Sequence, residues 1–288
     1  MHVLKNRNSN PILYMRDLNQ IIHDNNYDII HIHGNSRTLT TELYVCKRNK
    51  IEKRVVHAHS SSTKHPLLHK GLKKPFESLT QYNLSVSKEA GKFLFDQQCY
   101  QILPNGINVK NYKYNENKRK SLRKKYQIKD NEIVIGHVGE LNKNKNQQYL
   151  INLIEILSKE DYRLILIGEG EDRDFLEMEI SKKGLDKKVK LLGKLDNVYD
   201  WLNVFDLFVF PSLTEGLTLA VLEAQANGLK CYVSDTISEE VNVTQTLEIF
   251  NLSDSIDVLA NKIRTNKRAK VRSHVKKCIK KFLNQTLT

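Results

Sequence analysis

Two glutamates eight positions apart, Glu215 and Glu223, stand on either side of an expected helix start in PSLTEGLTLAVLEAQANG, residues 211–228. The apolar run LFVFP leads into a Ser-Leu-Thr-Glu-Gly loop, and the Ala- and Leu-rich stretch beyond reads as a helix closed at Gly228. Backbone amides at such a start, here those of Gly216 and Leu217, favour an anion, because they lack partners within the helix and lie at the positive end of its dipole. An ionised carboxylate accepts hydrogen bonds from two hydroxyls, so a carboxylate on each side of an anion cradle suits a sugar and a ribose joined through phosphates. The chemistry this pattern allows is the holding of a nucleotide sugar. Two glutamates on a solvated helix give the same spacing by chance, so the surrounding sequence decides between the readings.

The elements that must position these side chains follow an α/β rhythm. From about residue 28, short β-rich runs alternate with longer helical ones: DIIHIH and a helix near 37–49, RVVHAH and a helix near 66–80, NLSVS and a helix near 87–95. That alternation signals βαβ units and a parallel sheet. A turn-rich segment, PNGINVKNYKYNEN, marks a domain boundary, and beyond it NEIVIGHVG, YRLILIG, VKLLG, LFVFP and KCYVS repeat the rhythm. The architecture expected is two doubly wound, Rossmann-like parallel sheets, with ligands at the carboxyl ends of the strands.

Composition narrows the class. A chain of 288 residues with 40% hydrophobic and 27% charged residues is globular and has room for two domains. No apolar run reaches the ~18 residues of a membrane helix, and the first ten residues lack a signal peptide's apolar region, so a cytoplasmic protein is expected. Cys46, Cys99, Cys231 and Cys278 form no Cys-x-x-Cys pair and read as thiols rather than zinc ligands or disulfides. The net charge of +13 calls for an anionic partner. Basic clusters at 64–74, 117–125 and 266–281 lack interleaved stacking aromatics or a reading module, so nucleic acid is not the partner expected. The tail near residue 270 can form a basic amphipathic helix, suited to an anionic membrane surface or to docking on its own protein.

The stretch FDLFVFPSLTEGLTLAVLEAQANGLKCYVSD resembles the donor-sugar signature of the retaining family 4 glycosyltransferases, with Asp206, Pro211, Ser212, Glu215, Gly216, Glu223, Ala224 and Gly228 at the family's positions. DIIHIHGNS (28–36), ILPNGINVKNY (102–112) and IGHVGELNKNKNQQYLI (135–151) agree in order and spacing. The resemblance covers nearly the whole chain and is closest to bacterial enzymes of capsular or extracellular polysaccharide synthesis. It implies the GT-B fold, with residues 1–113 as an acceptor-side domain, 114–269 as the donor-binding domain, and a helix at 270–285 packing back on the first. Family members place a strand and a glycine-rich loop ahead of the segment matching DIIHIHG, so a first domain short of its early sheet is expected.

The resemblance also implies roles. Glu215 would meet the donor's sugar hydroxyls near the reacting carbon, Glu223 the ribose, and the amides of Gly216 and Leu217 the phosphates. The family's Gly-Arg-Leu-x-x-x-Lys pattern reads here Gly139, Glu140, Leu141 and Lys145, so the lysine is kept and the arginine is not. Lys145 is the expected phosphate contact, with Lys143 a candidate for the missing charge. A carboxylate of Glu140 held about 4 Å from a phosphate would cost on the order of 4 kcal/mol, so weaker donor binding or a different geometry is expected.

In VVHAHS, His59 is the expected histidine beside the transferred sugar, ahead of His57; Lys64 and His65 are weaker acceptor-side candidates. His31 and His33 share that geometry, with Gly34, Asn35 and Ser36 forming the turn. Four histidines invite a zinc reading, but they span two strands without cysteine or carboxylate spacing, so no metal is expected. Gly168 and Gly170 match the segment lining the family's base pocket, and a tight strand-to-helix turn explains them equally well. The function expected is hexose transfer from a UDP- or GDP-linked sugar, with no further cofactor, to a growing glycan or glycolipid, with retention, at the inner face of the plasma membrane. The alternatives are a catalytically weak nucleotide-sugar-binding module, or a basic protein of membrane surfaces or nucleic acid.

Overall fold

Short β-branched and aromatic runs become parallel strands in the described residues, and longer amphipathic runs become the helices between them. The computed structural model describes residues 9–103, 105–215, 218–237, 241–244 and 246–266, with residues 2, 4 and 7. The chain divides into two compact units, Met1–Asn105 and Gly106–Thr288.

The first unit begins with a helix α1, Pro11–Asn25, and continues β1 (Ile29–Gly34), α2 (Thr40–Arg48), β2 (Lys53–Ala58), α3 (Pro66–Gly71), α4 (Lys73–Leu79), β3 (Tyr82–Ser85), α5 (Lys88–Phe95) and β4 (Gln101–Ile102). The sequence rhythm did not anticipate α1. Asn10 caps it, its side chain accepting from Leu13 N at 3.0 Å, and Pro11 supplies the preset φ of a first helical residue. Met15, Leu18 and Ile22 put its apolar stripe on a core built of Leu43, Val56, Phe76, Leu94 and Phe95. The sheet order is β1-β2-β3-β4, all parallel, so among the described residues it runs one way and has no reversal point. The register sets His33 of β1 beside His57 of β2.

The second unit runs α6 (Glu116–Lys125), β5 (Ile133–Val138), α7 (Gln147–Ile156), β6 (Tyr162–Ile167), α8 (Arg173–Lys182), β7 (Val189–Leu191), α9 (Val198–Leu202), β8 (Leu207–Phe210), α10 (Leu219–Asn227), β9 (Lys230–Ser234), β10 (Leu247–Phe250) and α11 (Ile256–Asn266). Its sheet, also parallel, has the order β10-β9-β8-β5-β6-β7. Alternate residues divide between two apolar clusters: Val134, Phe208, Phe210 and Val233 join one, and Ile135, Leu207, Val209 and Tyr232 the other. Burial on both faces is why these strands read as continuous apolar runs. The chain builds outward from β5 in one direction, then returns to β8 and builds in the other, so the carboxyl ends of β5 and β8 flank the reversal point of a doubly wound sheet.

The break at Asn105/Gly106 falls before the boundary expected at 113. Val109 enters the second unit's core, and Asn227 Nδ2 donates to Tyr112 O at 3.0 Å, so the turn-rich segment packs with the second unit. The basic cluster at 117–125 is partly structural rather than a free cationic surface. Arg119 Nη2 and Arg123 Nη1 meet the Asp206 carboxylate at 2.6 and 3.2 Å, and Asp206 also accepts from Val134 N at 2.8 Å, tying α6 to the sheet. Cys46, Cys99 and Cys231 are free thiols. Among the described residues no helix is long and apolar enough to cross a membrane. The helix expected at 270–285 and Cys278 lie outside the described residues.

Candidate functional site

The loop after β5 and the loop after β8 lock together at the reversal point. Lys145 Nζ and Glu215 Oε1 form an ion pair, each side chain about four-fifths buried, with Lys145 Nζ 5.0 Å from the centre of the Phe210 ring. Ser212 Oγ lies 3.1 Å from the same carboxylate oxygen and 2.8 Å from Asn144 O, and Asn144 Nδ2 donates to Glu215 Oε1 at 3.1 Å. Backbone bonds fix the frame: Leu213 N donates to Asn144 O at 2.7 Å, and Asn146, in the left-handed region at φ 56°, donates its side-chain amide to Pro211 O at 3.1 Å. A left-handed asparagine just before α7 lets the loop turn sharply enough for Lys145 to point back across the strand ends. The result is a cation and an anion held in reach of one another, each satisfied by the other until a competing charge arrives.

Beneath this pair His137 of β5 is fully buried, its Nδ1–H donating to Val209 O at 3.0 Å. Burial pushes its imidazole down to about 4, so it is neutral beside Lys145 and adds no competing charge. Gly139 abuts the lysine stem: a Cβ there would lie 3.6 Å from Lys145 Cδ and 3.2 Å from His137 Nε2. Glu140 is exposed, its backbone carbonyl accepting from Gln147 Nε2 at 2.8 Å, and Lys143 is exposed as well. Neither joins the Lys145–Glu215 cluster through a hydrogen bond or ion pair.

The two glycines after β6 have a packing role. A Cβ on Gly168, at φ 147°, would sit 1.9 Å from Gly139 O, and one on Gly170 would sit 2.2 Å from Leu141 O. Glycine is required there because the β5 and β6 loops touch through their backbones, with Leu141 N donating to Glu169 O at 3.0 Å.

Glu223 lies on α10, which ends as expected at Gly228 in the left-handed region, φ 84°. Its Oε1 accepts from Tyr112 OH at 2.7 Å. Burial raises the carboxyl above its usual range, opposed by that hydrogen bond; Tyr112, half-buried and facing the carboxylate, is raised in turn. Gly216 and Leu217, expected at the phosphates, lie outside the described residues.

Of the residues expected from the sequence, Lys145 and Glu215 meet, whereas Glu223 pairs with Tyr112 and has no hydrogen bond or ion pair to that cluster; the supports Asn144, Tyr112 and His137 were not among the expected residues. Asn144 sat in an Asn/Lys run that reads as solvated. Tyr112 sat in a segment assigned to the other domain. His137 had only its place inside an apolar strand as a signal.

In the first unit the four histidines converge. His31 and His33 share a face of β1, His57 lies on β2, and His59 follows it. His33 Nδ1 and His59 Nε2 are 2.7 Å apart, and the rings of His31 and His57 stack at 5.4 Å. Burial, then the neighbouring His59, pushes His57 down to about 4; burial and neighbouring histidines lower His31 and His59. Burial thus favours the uncharged, hydrogen-bonding form of His31, His57 and His59. His33, Asn35, Ser36, Glu42, Lys64 and His65 are among the residues lining a cavity of about 620 Å³.

Residues 118–277 match the family described as glycosyl transferases, group 1. EpsF of Bacillus subtilis (strain 168), a protein named as a glycosyltransferase, is 30% identical over 270 residues, 88% of this chain and 70% of EpsF. CapH of Staphylococcus aureus, named as a capsular polysaccharide biosynthesis glycosyltransferase, is 26% identical over 243 residues, 78% of this chain and 64% of CapH. The structure of Anabaena Alr3699/HepE in complex with UDP-glucose aligns with a TM-score of 0.80 at 19% identity, covering 99% of this chain and 83% of that one, which is a likeness of fold.

Proposed function

The chain belongs to the group 1 glycosyl transferases, with the GT-B fold, and from that premise we propose that it moves a hexose from a nucleotide diphosphate sugar to a growing glycan with retention of configuration. The observation that carries this reading is the Lys145–Glu215 pair at the carboxyl ends of β5 and β8, where a doubly wound sheet opens its crevice. On donor binding the diphosphate takes over the ammonium of Lys145, and the freed carboxylate of Glu215 accepts from the sugar hydroxyls near the reacting carbon. Glu223, already oriented by Tyr112, holds the ribose hydroxyls. By the family resemblance, the phosphates would meet the amides of Gly216 and Leu217.

In the transfer the bond from the sugar's anomeric carbon to the leaving phosphate oxygen breaks, and the acceptor oxygen bonds to that carbon on the same face. The acceptor's proton passes to the leaving phosphate oxygen, which departs as UDP or GDP. Negative charge grows on the diphosphate as the bond breaks, and a fixed cation aimed at it lowers the barrier. No cofactor takes part in this step. His59 would contact the transferred sugar. The name of CapH supports a place in capsular or extracellular polysaccharide assembly, and the net charge of +13 supports a lipid-linked acceptor at an anionic membrane, on the inner face of the plasma membrane.

Incubation with a panel of nucleotide sugars and a membrane glycolipid extract tests the reading. Transfer from at least one donor, lost in Glu215→Ala, is the expected result. Binding of UDP or GDP without transfer from any donor would instead make the chain a nucleotide-binding module.

A further inference from the structure

Three of the four histidines on the first unit's sheet meet a geometric demand that sequence spacing alone did not reveal. One nitrogen from each of His31, His33 and His57 lies within 4.8 Å of the others, and among the described residues no other His, Cys, Asp or Glu trio is so grouped. Residues i and i+2 of a strand share a face, and the parallel register sets His57 beside His33, so three imidazoles converge from two adjacent strands. The buried ring of His57 is fixed in a particular tautomer. Its Nε2–H donates to Leu103 O at 3.2 Å, which leaves Nδ1 as a bare lone pair, and that atom is buried with no hydrogen-bond partner. A buried acceptor without a donor is costly, so its persistence points to a ligand. His33 is held from behind by its contact with His59, leaving Nε2 free. This is the arrangement of a metal-binding imidazole whose second nitrogen is engaged by an outer partner.

We propose that His31, His33 and His57 form a site for a divalent transition-metal ion of the zinc class, with His59 as its positioning residue. His57 ligates through Nδ1 and His33 through Nε2. His31 and His33 are exposed, so their side chains have room to turn toward the buried ring of His57, and bonds of ~2.1 Å to one ion require the three nitrogens to draw closer than the 4.8 Å within which they lie. Three neutral imidazoles leave the fourth tetrahedral position open for water or a substrate oxygen. His33 also lines the cavity that holds Lys64 and His65, so that position adjoins a place where an acceptor could lie. The inference does not depend on the transferase reading.

Equilibrium dialysis of the untagged full chain against micromolar zinc, with bound metal read by atomic emission, tests it. One zinc per chain is expected, lost in His31→Ala and His57→Ala, weakened by about 10–100-fold in His59→Ala, and kept in His23→Ala. His31 is exposed, so its variant decides the matter even if removal of the buried His57 disturbs folding. Cobalt(II) on the unaltered chain gives a second readout: intense visible bands of a four-coordinate ion are expected. Failure to retain zinc, equal retention by the His31→Ala and wild-type chains, or only the weak spectrum of six-coordinate cobalt would overturn the proposal.

Discussion

The two sheets present polar side chains at their strand ends in opposite ways. In the second unit the strand order reverses between β5 and β8, and the crevice so made holds a full cation and a full anion, braced by Asn144 and Ser212. Among the described residues of the first unit the order runs one way, and the strand ends carry clustered imidazoles. A reversal point gives two loops that can grip each other, so charge can be fixed in place; without one, a face can offer only what its own strands project. The second unit is thus suited to stabilising developing charge, and the first to hydrogen bonding or metal ligation.

The sharpest way to break this contrast is to neutralise each side. Lys145→Ala should lower kcat in the transfer assay by on the order of 10²–10³, because it removes a preorganised cation from the leaving diphosphate. His59→Ala should lower it by only about 10-fold, the worth of one neutral hydrogen bond. Equal losses would erase the distinction.

Next in size is the backbone contact that supports the crevice. Gly168→Ala forces a Cβ against Gly139 O and should cost about 3 kcal/mol, read by urea unfolding through the single tryptophan, Trp201, which is buried in the second unit.

Acid should separate the units by a smaller margin. A histidine whose folded pKa is depressed contributes stability above its unfolded value, near 6.5, and loses it as pH falls toward the folded one. His31, His57, His59 and His69 are all lowered in the first unit, His57 to about 4, whereas His137 is the one such group among the described residues of the second. Between pH 6.5 and 4 far-UV circular dichroism should therefore fall before Trp201 fluorescence shifts; coincident transitions would contradict this.

The smallest effect has the opposite sign. Glu223 is raised by burial, so its contribution is present below its unfolded value and is lost as pH rises through the folded one. Glu223→Gln should raise the melting temperature slightly at pH 7 and leave it unchanged near pH 4, while weakening donor binding.

Much of this was legible in the sequence. Strand positions followed from apolar runs, and the two residues that pair at the reversal point, Lys145 and Glu215, stood out in the motifs around them. Three things were not. The helix α1 carries its stripe on only Met15, Leu18 and Ile22, too sparse to stand out beside Asn10 and Pro11. The domain boundary was displaced because Val109 and Tyr112, in a turn-rich segment, are claimed by the core and by Glu223 through contacts more than a hundred residues away in sequence for Tyr112. The histidine trio depends on the register of β1 against β2, which no spacing within either strand encodes.

Calorimetric titration of UDP- and GDP-sugars into the chain, side by side with Lys145→Ala and Glu215→Ala, tests the central claim most directly. Saturable binding of at least one donor, weakened at least about 10-fold by each substitution, is the result expected from a paired cation and anion that exchange partners for the donor. Unchanged affinity in both variants would contradict it.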